Sequence, residues 1–281
     1  MPIGMSRIAI CAPSTPFTRE DAARVIALAR EAFPALELCF HDQCFAVDGH
    51  FAGPDALRRD ALVTCANDPA FDAVWFVRGG YGANRIAAEA VARMTDAARD
   101  KLFLGYSDGG TLLAALYRAG VGRPVHAPMP TDIRRAGGEA AVRRSLAWLA
   151  GDRTGLEPTL GATPAVAFNL MTLAMIVGTD LMPDLSGHVV MVEEVSEHLY
   201  AVDRLLFHVC AHLAPLGIAG LRLGRVSDVP ENDRPFGTEP TDMARHWCAR
   251  NGIAFLGAAD IGHDIANRIV PFGLAGSAPD Q

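Results

Sequence analysis

The chain has 281 residues, half of them apolar and a fifth charged, enough to bury one large or two modest domains and too apolar for a disordered segment. Its formal net charge of −7, with no Lys/Arg cluster interleaved with aromatics, argues against nucleic acid as a partner. Six cysteines without a CxxC pair, and a longest apolar stretch (165–182) broken by Asn169, Thr172, Thr179 and Asp180, predict reduced thiols, no membrane span and a cytoplasmic location.

The opening residues, MPIGMSRIAICAPSTPF, lack a charged segment followed by an apolar one, so no leader is expected. Residues 7–11 form a β-branched run closed by Ala12-Pro13-Ser14. Thr18 then offers an N-cap with Glu20 and Asp21 in the first turn, before a helical period sets in. A short strand is predicted over 36–40, and a second helix begins at Pro54 and Asp55. Residues 71–77 are continuously apolar, the mark of a strand buried on both faces. Arg78-Gly79-Gly80-Tyr81-Gly82 follows, then a helix over about 85–94, a strand over 102–104 and a helix after Ser107. Strands alternating with helices of this length predict a parallel sheet.

The pattern then changes. Pro124, Pro128 and Pro130 read as irregular chain, 137–149 as a surface-like helix, and the Gly/Pro/Thr-rich segment 151–164 as a connection between domains. Beyond it the sequence predicts a helix over 170–177 and a strand over 188–192. A helix around 202–213, a strand near 221–226, a helix over 241–251 and a strand over 254–257 follow. The expected organisation is an α/β domain over 1–150, a linker over 151–165 and a smaller domain over 166–281.

Gly105-x-Ser107-x-Gly109 sits between a strand and a helix, the setting of a nucleophile elbow. Small neighbours permit so sharp a turn, the hydroxyl stands clear of the sheet, and the following N–H groups face a developing oxyanion. A capped corner of the same composition would look alike. The RGGYG loop contains neither GxGxxG nor a P-loop lysine, which argues against a dinucleotide site; its glycines allow close backbone approach. A serine nucleophile needs a base and the base an orienting acid. Among nine histidines, His263 stands out because Gly257 and Gly262 place it in a loop after a strand. His208 and His212 share a helix face but lack a third ligand, so no metal is expected. Glu193, Glu194 and Glu197 end a strand, and periodicity does not choose among them. Asp108, beside the serine, reads as a local hydrogen-bonding group.

Taken in order, RGGYGANR, GYSD, VMVEEVSEHLYAVDR and the Gly-His loop with IVPFG resemble the LD-carboxypeptidases of serine peptidase family S66. The resemblance runs over nearly the whole chain. It implies an N-terminal flavodoxin-like domain carrying the serine and a C-terminal mixed α/β domain carrying the acid and histidine. It also implies a triad of Ser107, Glu193 and His263, with an oxyanion hole from the backbone amides of Asp108 and Gly80. The implied substrate is a small murein peptide losing a terminal D-alanine, with Arg78 a candidate for its carboxylate, no cofactor, no metal, and a homodimer as one option. The microcin-immunity branch of the family, which would clamp a nucleobase with an aromatic, and a non-catalytic anion-binding protein are the alternatives. Trp75, Trp148 and Trp247 lie in predicted strands or helices, which favours the murein branch. Two departures, Ala167-Phe168 where the family carries Gly-Gly and Gly109-Gly110 where many members are bulkier, are expected to alter the mouth of the pocket.

Overall fold

The computed structural model describes residues 6–274; the first five residues of the leaderless reading and the last seven of the expected second domain lie outside them. Ten strands and eight α-helices run along the described chain as β1 (Ser6–Cys11), α1 (Arg19–Ala32), β2 (Leu36–Phe40), α2 (Asp55–Asn67), β3 (Ala73–Phe76), α3 (Ala87–Ala92), β4 (Leu102–Gly105), α4 (Gly110–Ala119), β5 (Arg123–His126), α5 (Glu139–Leu149), β6 (Ala165–Asn169), α6 (Leu170–Ile176), β7 (Val189–Val195), α7 (Leu199–Leu213), β8 (Gly220–Ser227), α8 (Pro240–Arg250), β9 (Phe255–Ala258) and β10 (Val270–Pro271).

Two sheets result. The first has the order β10-β5-β4-β3-β1-β2, parallel except for the last-added β10, which lies antiparallel on β5. Without β10 this is the flavodoxin order 2-1-3-4-5, in which ligands gather at the carboxyl ends of the strands. The second sheet, β6-β7-β8-β9, is parallel throughout. The fold is therefore α/β with a flavodoxin-like sheet and a second α/β layer, as expected.

Both faces of the first sheet are covered, which explains its nearly unbroken apolar strands. On one face Ile8, Ile10, Trp75 and Leu104 pack with Val25 and Leu28 of α1 and Leu146 of α5. On the other, Phe76 and Phe103 join residues of α2, α3 and α4 in a cluster that continues without interruption into Phe168, Val192 and Leu206 of the second sheet and its helices. The two sheets are thus held by one shared apolar core, and the crevice at their strand ends is built on it.

Three strands escape the sequence reading. β5 contains Pro124, which read as irregular chain, yet a proline can sit in a strand wherever no ladder N–H is required of it; its carbonyl accepts from Phe272 N at 2.9 Å. β6 was hidden in a long apolar stretch, and β10 is only two residues long. Helix α5 is less superficial than predicted, because Val142, Ser145, Leu146 and Trp148 are buried.

Candidate active site

Ser107 begins the short 3-10 turn Ser107–Gly109 between β4 and α4, with φ +57°. This left-handed angle costs a non-glycine residue roughly 1–3 kcal/mol and is kept only where surrounding contacts enforce it. Here the enforcement is visible. A Cβ on Gly105 would fall 2.6 Å from Phe76, and one on Gly79 would fall 3.0 Å from Ser107 Cβ. The glycines therefore let the RGGYG loop pass directly against the serine.

Asp108 braces the turn from below. Its Oδ2 accepts from Ser14 Oγ at 2.5 Å and from Ala83 N at 2.9 Å, tying the elbow to the loops after β1 and β3. Burial pushes its carboxyl above the ordinary range, and these hydrogen bonds partly oppose the shift. Thr15 Oγ1 donates to Gly79 O at 2.6 Å. Since C=O and N–H of a trans peptide point opposite ways, that bond turns the Gly80 N–H away from Thr15. Gly80 itself has φ +108°, and a Cβ there would sit 2.6 Å from Thr15 Cγ2, so only glycine fits. Neither Asp108 N nor Gly80 N donates a hydrogen bond among the described residues. The fully buried Arg58 completes the loop cradle by donating to Gly82 O at 2.9 Å and to Pro13 O.

His263 lies in the loop between β9 and β10. Its Nδ1 is 2.6 Å from Glu193 Oε2, with Glu193 fully buried and His263 nearly so. Among the described residues Glu193 Oε1 is buried without a hydrogen bond and the imidazole is this carboxylate's one partner. Gly224 on β8 makes room for the pair, because a Cβ there would come 2.6 Å from Ile261 O and 3.0 Å from Glu193 Cβ. The neighbouring Glu194 is used differently. It accepts from Asn169 Nδ2 at 2.8 Å, Met171 N at 2.8 Å and Val195 N at 2.9 Å, and burial raises its carboxyl despite them. Successive residues of a strand face opposite sides, which separates the two acids. Glu197 makes no hydrogen bond or ion pair among the described residues but lines a cavity.

Two cavities meet at Ser107 and Gly80. One, of about 270 Å³, contains His263, Tyr106, Arg78, Arg134 and Arg135. Arg134 is paired with Asp21 at 2.6 Å and Arg135 with Asp132 at 3.0 Å. Arg78 has no carboxylate partner among the described residues; it donates to Pro16 O at 3.3 Å, and burial, with Arg134 nearby, lowers its affinity for the proton. The other cavity, of about 450 Å³, is lined by Tyr81, Asn169, Met171, Met175, Glu194 and Glu197 among others, with no basic side chain. Ser107 Oγ and His263 share the first cavity without a hydrogen bond joining them in this structure; such bonds are often long before substrate binds.

The sequence-predicted residues Ser107, Gly80, Arg78 and His263 thus gather around the first cavity, Asp108 lines the second beside them, and Glu193 lies behind the histidine. The expected change at the pocket mouth is not found. Phe168 is fully buried and packs edge-on against Phe272, with ring centroids 5.2 Å apart. A Cβ on Gly110 would lie 3.4 Å from the Phe168 ring, an ordinary van der Waals contact, so the two departures are neighbours inside the core. None of Ala167, Phe168, Gly109 or Gly110 lines either cavity. Sequence reading missed Ser14, Thr15 and Arg58, whose only signal was a polar pair after the first strand and an arginine on a buried helix face.

Among the described residues no helix is long and apolar enough to cross a membrane, and no cluster of His, Cys, Asp or Glu could hold a metal ion. Residues 8–127 match the family model of the LD-carboxypeptidase N-terminal domain and residues 164–277 that of the C-terminal domain. The chain is 29% identical to a putative carboxypeptidase of Streptomyces coelicolor, covering 96% of this chain and 89% of that one. It is 25% identical to a murein tetrapeptide carboxypeptidase of Pseudomonas aeruginosa, covering 80% of this chain and 78% of the other. In fold it is similar to a muramoyltetrapeptide carboxypeptidase from Oxalobacter formigenes, with TM-score 0.77, 24% identity and 95% and 93% of the two chains covered. It is also similar to the microcin C7 self-immunity protein, with TM-score 0.78, 16% identity and 97% and 92% covered. The two family models in sequence, on a fold shared with solved members, show that the chain belongs to the S66 peptidases, the LD-carboxypeptidases, and is a hydrolase of the carboxypeptidase kind.

Proposed function

We propose that the chain is a serine LD-carboxypeptidase that removes the terminal D-alanine from murein tetrapeptides, with Ser107, His263 and Glu193 as its catalytic triad and peptidoglycan recycling in the cytoplasm as its setting. The observation that carries this reading is the 2.6 Å contact of His263 Nδ1 with the buried Glu193, behind a cavity that His263 shares with a serine held at φ +57°. In the proposed reaction Ser107 Oγ attacks the scissile carbonyl while His263 Nε2 takes its proton. The amides of Asp108 and Gly80 receive the oxyanion, and the tetrahedral intermediate collapses as His263 passes the proton to the leaving amine. Water then hydrolyses the acyl-enzyme by the same relay. Glu193 fixes the imidazole with its proton on Nδ1 and balances the imidazolium that forms.

The two cavities carry opposite charge, and this supports an exopeptidase. A released D-amino acid bears a free carboxylate, which suits the cavity containing His263 and the unpaired Arg78. The acyl part of the peptide would then occupy the larger acidic and apolar cavity. None of the three tryptophans lines either cavity, which favours the murein branch over one that stacks a nucleobase.

Incubation with a murein tetrapeptide, followed by mass spectrometry, should show loss of one D-alanine, and the S107A protein should show none. A tetrapeptide with an amidated C-terminus should be cleaved at least about 10-fold more slowly, and R78M should reduce turnover of the free acid but not of the amide. Binding of the tetrapeptide without any D-alanine release would instead indicate the non-catalytic reading.

A further inference from the structure

His126 and Asn267 take no part in the triad, yet they join its two halves. His126 ends β5 and is the register partner of Gly105 on β4, two residues before Ser107; on its other side it is the register partner of Val270 on β10. Its side chain is buried, with Nε2 3.0 Å from Asn267 Oδ1. The same amide oxygen accepts from Gly262 N at 3.2 Å, the residue immediately before His263. An acceptor facing Nε2 means that Nε2 carries the proton, and burial depresses the proton affinity of this imidazole so that it stays neutral.

Asn267 is itself firmly set. Its N–H donates to Asp264 O at 3.2 Å and its carbonyl accepts from Arg144 of α5 at 2.8 Å. Tyr106, between Gly105 and Ser107, fills the remaining gap. Its ring lies 5.6 Å from that of His126 and 4.8 Å from that of His263, and its hydroxyl donates to Asp132 at 2.8 Å. Glu193 ties His263 to the second sheet, whereas Ser107 belongs to the first. The His126–Asn267–Gly262 chain is a polar connection from β5, the strand paired with β4 beside the nucleophile, to the loop carrying the base.

From this arrangement we infer that His126 and Asn267 are a positioning pair that sets the reach of His263 toward Ser107, distinct from Glu193, which sets the ring's tautomer and charge. The inference rests on the triad reading above. A loss of about 1 Å in placement is enough to cost on the order of 100-fold in rate, and the two positions act on placement alone.

The test is the saturation kinetics of Ser107 acylation by a fluorophosphonate, which needs no murein peptide, in the unaltered protein and in N267A, H126A and H126Q. Proton NMR of each protein would follow the low-field imidazole proton shared by His263 and Glu193. Acylation in N267A and H126A should be about 10- to 100-fold slower at saturation, with the half-saturating reagent concentration within about twofold and the low-field proton retained. H126Q, whose side-chain amide can donate to Asn267 Oδ1, should recover to within about threefold of the unaltered rate. Unchanged acylation in N267A, or H126Q as slow as H126A, overturns the inference. Loss of the low-field proton overturns it as well, because the effect would then run through Glu193 or the fold at large. An unaltered protein that resists the reagent overturns the triad reading first, and the positioning role with it.

Discussion

At the scale of single residues, the candidate site depends on backbone that has been forced and carboxylates that have been sorted. Ser107 was legible because glycines flank it on both sides at a strand-to-helix corner, and His263 because Gly257 and Gly262 place it in a loop. Glu193 was not separable from Glu194 by residue pattern, since both are buried and only three-dimensional contact shows one facing an imidazole and the other bracing the start of α6. Glu193→Gln is a direct test of the assignment. The amide preserves volume but can donate to His263 Nδ1, leaving the ring proton on Nε2, where it blocks acceptance from Ser107. Turnover should fall by about 10³- to 10⁴-fold with KM little altered, whereas Glu194→Gln, which keeps an acceptor for the Met171 amide of α6, should change turnover by less than about 10-fold. Steady-state kinetics of the two variants side by side decides the matter.

At the scale of elements, strong period and caps were read correctly and context-dependent strands were not. Thr18 caps α1 as its sequence suggested, accepting from Asp21 N. β5 was obscured by Pro124, although its Val125 and His126 are buried in the middle of the molecule. Its burial has a measurable consequence through His126. The buried imidazole has its proton affinity lowered from the ordinary 6.5, so between that value and the lower folded one the unfolded chain binds a proton that the native state refuses. Stability from this group is therefore present above pH 6.5 and is lost as pH falls. Asp108 and Glu194, raised by burial, have the opposite sign, because the native state takes up their protons more readily as pH falls. The comparison that isolates His126 is the melting temperature of H126Q against the unaltered protein from pH 8 to pH 5. The unaltered protein should lose more stability over that interval, and parallel curves would contradict the assignment.

At the scale of the whole molecule, one apolar core joins two sheets, and β10 returns from the second to complete the first. Residue patterns were enough to predict an α/β chain that changes character after the proline-rich segment. They could not show that Phe168 and Gly110, read as alterations of the pocket, are neighbours in the core beneath it. That contact brings together two residues far apart in sequence. Phe168→Ala should cost about 3–5 kcal/mol of stability by opening a cavity while leaving the KM for a tetrapeptide within about twofold. Chemical denaturation together with steady-state kinetics would show it, and a KM change with unaltered stability would return Phe168 to the pocket.

All of these levels bear on the proposed relay from the Ser107 hydroxyl through the His263 imidazole to the Glu193 carboxylate. Its most direct test is peptide mapping by mass spectrometry after brief exposure to a fluorophosphonate. The account predicts a single adduct, on Ser107, that disappears in S107A and falls by at least about 100-fold in initial rate in H263A. An adduct on another residue, or labelling of Ser107 at an undiminished rate without the imidazole, would contradict it.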